Sequence, residues 1–277
     1  MAKPIVALMY DFDKTLSPKN MQDYGFMKGL GVTSKEFWET CTKMTKENQM
    51  DSILSYMFLM LEKGRGKFMF RREEFQKLGK SVRLFPGVTT WFDRINEYCA
   101  GKGLTCEHYL LSSGLKEIVE GTEIADKFKE IYAAEFLYDA DGIAVWPAMA
   151  VNYTSKTQFL YRINKGVLDV TEQTELNRYV PDDERRVPFR NMIYFGDGDT
   201  DIPCMKLTKL NGGHSIVVYE KDKKVAERLI NENRANFALK ANYSKGSTLE
   251  KTVKAIIDNI AATETLKKME KNGCAVK

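Results

Sequence analysis

The chain has 277 residues, 43% of them apolar and 29% charged, with 42 Lys and Arg against 38 Asp and Glu. This is the balance of an ordinary globular protein, and it argues against a disordered chain, a collagen-like fibre or a multi-span membrane protein. A net charge of +4 over this length does not predict a nucleic-acid binder. The length allows one large domain or two modest ones. The first apolar run, Ile5 to Tyr10, is too short for the core of an export signal, and no stretch reaches the ~20 apolar residues that span a bilayer. Five cysteines at irregular spacings, with only His108 and His214 as histidines, argue against a zinc site and a disulfide framework. We read five reduced thiols in a cytoplasmic protein. Buried packing is their default role, and Cys204 is the one candidate for reactivity.

Taken in chain order, residues 4–10 form a short apolar run that predicts a strand buried on both faces. From Ser17 to about Phe85 no strand-like run occurs, and the pattern predicts three or four helices. Thr33 or Ser34 can cap one of them, with Glu36 close behind. Residues 50–61 are apolar on almost every face, which predicts a small helical domain with its own core. Residues 88–100 repeat apolar side chains at three and four and stop at Gly101 and Gly103. Further strands are expected at 104–111, 191–196 and 214–219, and further helices at 115–129, 155–164, 222–234 and 247–261. Asp139-Ala140-Asp141-Gly142 between two apolar runs predicts a hairpin over 131–146. Residues 166–190 read as a long charged surface loop and 262–277 as a fraying tail. Strand alternating with helix gives an α/β fold: a doubly wound, Rossmann-like parallel sheet core over residues 1–16 and 86–277, with a helical cap domain over 17–85 inserted after the first strand.

Four clusters carry chemistry. Asp11-Phe12-Asp13-Lys14-Thr15 follows the first strand, where open parallel sheets bind ligands. Two carboxylates at i and i+2 repel unless a cation or a shared proton relieves them, and magnesium is a natural relief. Taken alone, the pair reads equally well as the start of a turn. Gly196-Asp197-Gly198-Asp199-Thr200-Asp201 places a second acidic cluster at another strand end. Leu111-Ser112-Ser113-Gly114 puts hydroxyls and free amides where a strand meets a helix, a ready anion site. Lys156 opens a helix, where a cation is slightly unfavourable and ordinarily just solvated.

Together and in this order, these clusters resemble the motifs of the haloacid dehalogenase superfamily. The match is to Asp-x-Asp-x-Thr at Asp11–Thr15, the strand-end Ser112, Lys156, and Gly-Asp-Gly-x-x-Asp at Gly196–Asp201. Within the superfamily the layout is similar to the phosphoserine-phosphatase branch, with a helical cap between the first and second motifs. The resemblance implies a Mg²⁺-dependent phosphatase acting on a small phosphorylated metabolite. Asp11 would attack phosphorus, and Asp13 would act first as acid and then as base. Mg²⁺ would be held by the Asp11 carboxylate, the Asp13 backbone carbonyl and Asp197. Asp201 would stand behind, orienting a water or Lys156. Ser112, the Gly114 amide and Lys156 would hold the phosphoryl group, with Ser113 as the alternative serine. Asp199 falls outside the pattern.

Two other readings remain open on these residues. A phosphomutase or phosphotransferase would use the same site with a different acceptor. A nucleic-acid or anionic-surface binder would rest on Lys63, Arg65, Lys67, Arg71 and Arg72 interleaved with Phe68 and Phe70, a single short run. Neither a membrane nor a nucleic-acid partner is expected. Glu36, Arg65, Arg71 and Arg72 are the candidates for recognising phosphoserine, although exposed helix charges explain them more simply.

Overall fold

A computed structural model describes residues 3–273. In chain order the elements are β1 (Ile5–Tyr10), α1 (Phe26–Leu30), α2 (Ser34–Asn48), α3 (Ser52–Gly64), α4 (Arg72–Gly79), α5 (Val88–Gly101), β2 (Thr105–Leu115), α6 (Lys116–Glu120), β3 (Glu130–Tyr138) and β4 (Ala144–Met149). Then follow α7 (Lys156–Lys165), α8 (Thr174–Asn177), β5 (Met192–Gly196), α9 (Ile202–Leu210), β6 (His214–Tyr219), α10 (Lys224–Asn231), β7 (Phe237–Lys240) and α11 (Thr248–Gly273). The strands form one seven-stranded sheet in the order β4-β3-β2-β1-β5-β6-β7. Only the β3–β4 pair is antiparallel. It is the hairpin expected around Asp139–Gly142, and Gly142 takes the positive φ its turn needs.

Alternation along β1 sorts the core. Val6, Leu8 and Tyr10 face one side, with Trp91 and Phe92 of α5 and Val253 and Ile257 of α11. Ala7 and Met9 face the other, with Phe159 and Ile163 of α7, Met205 of α9 and Leu229 of α10. A sheet with helices on both faces is the doubly wound α/β fold. The chain leaves β1, returns as β2 on one side, and returns again as β5 on the other. The crevice at this reversal lies beyond the carboxyl ends of β1 and β5, so Asp11 and Asp197 are brought together by topology.

Helices α1–α4 occupy the interval between β1 and α5. Thr33 caps α2 with a full capping box through Glu36, and Asp51 caps α3 by accepting from the Ile53 and Leu54 amides. Their apolar side chains do not form the separate core expected. Phe26, Tyr56, Met60 and Phe75 run continuously into the packing of Tyr10, Phe12 and Phe136. Phe68 and Phe70 join this aromatic cluster around Phe75, so the rings that a base-stacking surface would need are turned inward. Arg72 donates to Glu120 and Glu135, tying α4 to α6 and β3.

Four local expectations change. The helix expected over 115–129 stops at Glu120, because Gly121 lies against the backbone of α4, where a Cβ would strike the Gln76 carbonyl. The expected tail is helical as far as Gly273, since α11 continues and Glu264 accepts from Arg190 and Asn191; residues 274–277, and Cys274 with them, lie outside the described residues. The short strand β7 was not anticipated. The 166–190 loop contains α8 and is fastened through its carbonyls: buried Arg162 donates to Asp169, Val170 and Glu172. Among the described residues no helix is long and apolar enough to cross a membrane.

Candidate active site

The Asp11 amide extends the ladder of β1 by donating to the Phe195 carbonyl, which sets the two acidic motifs side by side. Lys156, at the start of α7, is fully buried and reaches into this crevice. Its Nζ donates to Asp11 Oδ1 at 2.7 Å and to Asp201 Oδ1 at 2.9 Å. Asp201 is fully engaged: Oδ1 also accepts from the Tyr194 hydroxyl at 2.8 Å, and Oδ2 accepts from the Asp197 amide at 3.1 Å. Gly196 is required here for space, not for an unusual φ, because a Cβ would collide with the Asp201 carboxylate. Sequence reasoning missed Tyr194. The available signal was a tyrosine inside a buried strand, whose hydroxyl must find a partner.

Asp11, Asp197 and Asp201 each offer an oxygen within 4.8 Å of the others. Burial is the largest influence on the three carboxylates that line the crevice. It pushes Asp11 and Asp197 upward, with repulsion from Asp201 adding to it and Lys156 opposing it. It pushes Asp13 well above the usual carboxylate range, with repulsion from Asp11 adding. Lys156 is held charged, its pKa raised by its two carboxylate partners against the cost of burial. One ammonium cannot neutralise this many acids, so the donor set suits a hard divalent cation. Both oxygens of Asp201 are spent on protein donors, which makes it a support and leaves Asp11 and Asp197 as the freer ligands. Asp13 stands outside the three-carboxylate group; its Oδ1 accepts from the Met21 amide at 2.8 Å.

The serine turn is placed differently from the expectation. Ser112 is buried, and its Oγ accepts from the Gly114 amide at 3.0 Å. Ser113 and Gly114 line the cavity, and Ser112 does not. The Ser113 carbonyl accepts from Tyr56 of α3 at 2.8 Å. Asp199 reaches the cavity rim and pairs with Arg228. Cys204 is buried beneath, its thiol pushed up to about 12 by desolvation, which removes it as a nucleophile.

The cavity above these groups holds about 480 Å³ and is roofed by α2 and α3. On α2, Trp38, Cys41, Thr42 and Thr45 recur at three and four and face it. The solvent-facing flank of α2, beside Trp38 and Thr42, carries the exposed ion pairs Lys35–Glu39 and Lys43–Glu47. Of the residues considered for phosphoserine, none lines the cavity. Glu36 is spent on its capping box and Arg72 on Glu120 and Glu135.

A parallel sheet with an acidic cluster and a buried lysine at its topological switch point defines an α/β protein with a polar ligand site at its strand ends. The family model for haloacid dehalogenase-like hydrolases matches residues 8–206, and the chain belongs to that family. An uncharacterised protein of Borreliella burgdorferi is 30% identical over 274 residues, 88% of this chain and 94% of its own length. Among solved structures, a HAD family hydrolase from Salmonella enterica serovar Typhi superposes with a TM-score of 0.55 at 17% identity over 82% of this chain; the chain spans 66% of that one, just under two thirds. A substrate-bound phosphoserine phosphatase superposes with a TM-score of 0.56 at 16% identity, covering 91% of this chain and 99% of that one. At such identities the likeness is one of fold.

Proposed function

We propose that this hydrolase is a Mg²⁺-dependent phosphatase that cleaves a small phosphomonoester of the cytoplasm through a phosphoryl group carried on Asp11, with residues 17–85 serving as its cap. The observation that carries the reading is the Lys156 ammonium shared between Asp11 and Asp201 at the floor of a cavity that Asp13 also lines. When bound, Mg²⁺ would offset the charge of the phosphoryl oxygens, held by the Asp11 carboxylate, the Asp13 carbonyl and Asp197.

The chain's own groups do the rest. Lys156 uses two of its three N–H donors on carboxylates and has one left for a phosphoryl oxygen. The Asp11 carboxylate attacks phosphorus, and the bond from phosphorus to the ester oxygen breaks. Asp13, whose protonated form burial favours, gives its proton to that oxygen. It then takes a proton from the water that attacks the acyl phosphate, which releases inorganic phosphate and restores Asp11. The serine turn contributes Ser113, which lines the cavity, and the Ser112 hydroxyl, which accepts from the Gly114 amide and keeps its own proton to donate.

Release of phosphate from an aryl phosphate, with and without Mg²⁺, tests the reading. Asp11→Asn is expected to lose about a thousandfold or more in kcat/KM, since it removes the nucleophile of a concerted unit. Activity undiminished in this variant would refute the assignment. Transfer of phosphate to an added alcohol in place of water would move the reading to a phosphotransferase.

A further inference from the structure

The polar groups of the cavity fall into two sets. On the floor, Lys156, Asp11, Asp201, Tyr194 and the Asp197 amide are hydrogen-bonded to one another. Three buried atoms bordering the cavity make no hydrogen bond to N or O among the described residues: Gln22 Oε1 in the turn before α1, and Trp38 Nε1 and Thr45 Oγ1 on α2, the last beside the Cys41 thiol. All three residues line the same cavity. Gln22 is itself 2% exposed. Buried donors and acceptors are nearly always paired, so three orphans around one cavity mark where a ligand's polar groups belong. They supply a donor, an acceptor and a hydroxyl that can act as either, and all three are uncharged. Trp38 and Tyr56 meet edge to face, with centroids 5.9 Å apart, and add an aromatic wall.

Charge narrows the ligand further. Among the described residues, no acidic side chain of 17–85 lines the cavity, and Lys46 is its one charged group from that segment. Asp51, just before α3, is engaged by the Ile53 and Leu54 amides and by Asn152. A leaving group with an ammonium would find no counter-charge on the roof. A neutral leaving group with several hydroxyls would satisfy each orphan and lay its C–H faces on the aromatic wall. The cavity volume of about 480 Å³ is of the size that takes a small-molecule ligand.

Building on the phosphatase reading, we propose that the substrate is a sugar or polyol phosphate whose hydroxyls are read by Gln22, Trp38 and Thr45. An amino-acid phosphate is the class it excludes. A site built to hydrogen-bond hydroxyls discriminates strongly against analogues that leave its groups unpaired.

The test is kcat/KM of the full chain, with Mg²⁺, on hexose 6-phosphate, sorbitol 6-phosphate and O-phosphoserine, with an aryl phosphate as the reference. We expect the sugar and polyol esters to exceed O-phosphoserine by at least about tenfold. Gln22→Leu, Trp38→Phe and Thr45→Val should each lower that ratio about tenfold, with folding checked by thermal midpoint. Gln22→Glu, which supplies the missing anion, should move the ratio toward O-phosphoserine. Equal or better turnover of O-phosphoserine, or ratios unmoved in all the variants, would overturn the inference while leaving the phosphatase reading intact. If the aryl phosphate is not hydrolysed, that reading fails instead. Calorimetric binding of hexose 6-phosphate against O-phosphoserine to Asp11→Asn then decides the inference on its own: tighter hexose 6-phosphate binding supports it, and equal or weaker binding ends it.

Discussion

The floor and the roof of the cavity are built on opposite principles. On the floor, Lys156, Asp11, Asp201, Tyr194 and the Asp197 amide satisfy one another in a closed network set on strand ends. On the roof, α2 and α3 hold their backbones firmly through Thr33 and Asp51, yet Trp38 and Thr45 of α2, and Gln22 in the turn before α1, keep unpaired atoms. A lysine already fixed between two carboxylates before the substrate arrives suits charge that develops only during reaction, because that ammonium need not reorganise. Groups that are incomplete until a ligand arrives suit selection of what is bound. On the function proposed above, the difference separates a part that performs a reaction from a part that chooses the molecule.

Removing the floor's cation should have the largest effect. Lys156→Met leaves the Asp11 and Asp201 carboxylates facing each other in a buried site. Breaking a buried pair from one side costs about 3–5 kcal/mol, and losing a donor to the reacting oxygens costs a further hundredfold or more in rate. We expect phosphatase activity to vanish into background and the denaturation midpoint to fall. A variant that keeps wild-type stability would break the comparison, since the floor would then not be a mutually dependent unit. Asp201→Asn should follow in size. The amide keeps the shape but offers one acceptor oxygen in place of two, against three donors. Weaker support of this kind lowers metal affinity by about 10–100-fold, measurable as the Mg²⁺ concentration giving half-maximal rate.

The floor was legible in the sequence because its chemistry lies in short motifs at strand ends, where topology leaves little freedom. Asp11, Asp13, Asp197 and Asp201 stood out as two acidic clusters at strand ends, and Lys156 was singled out only through the resemblance of all the motifs, in order, to a known family. What escaped was the set of contacts made across the fold: Tyr194 beneath Asp201, and Gly196 making room for that carboxylate. The roof was far less legible. Trp38 and Thr45 belong to an ordinary amphipathic pattern, and only packing decides that their stripe faces a cavity. The same holds for Gly121, which reads as a weak helix residue and proves to be a point of backbone contact with α4.

Acid–base behaviour tests the floor separately. In the metal-free protein Asp197 is raised to about 8 from a usual 3.8, so above pH 6.5 the native state still binds a proton that the unfolded chain has lost. Stability must therefore fall as pH rises from 6.5 through 8, by up to about 1.4 kcal/mol per pH unit for each such group. Buried His108 acts in the opposite sense, because its pKa is lowered from 6.5 to about 3, but its influence is confined below that window. Mg²⁺ should accordingly raise the thermal midpoint more at pH 8 than at pH 6. An equal increment at both values would show that the floor carboxylates are ionised without the metal.

The smallest effect expected is at the junction of the two parts, where it discriminates most finely. Asp51 accepts from the first amides of α3 and, through Oδ2, from Asn152 at 2.9 Å. Asn152 in turn accepts through its own Oδ1 from the amides of Thr154 and Ser155, just before Lys156. One carboxylate thus fastens the roof helix to the turn that presents the floor's lysine. Asp51→Ala removes an N-cap worth about 1 kcal/mol and this bridge with it. If roof and floor have separate duties, KM should rise several-fold while kcat moves little, because Lys156 keeps both of its carboxylates. Asp51→Asn keeps the cap through its single oxygen but sets an NH2 against Asn152 Nδ2, so it should restore the stability lost with the cap and leave the bridge broken and KM raised, as in Asp51→Ala. A fall in kcat as large as the rise in KM would mean that the roof helps to set the lysine, and that the division between reaction and selection does not hold at this seam.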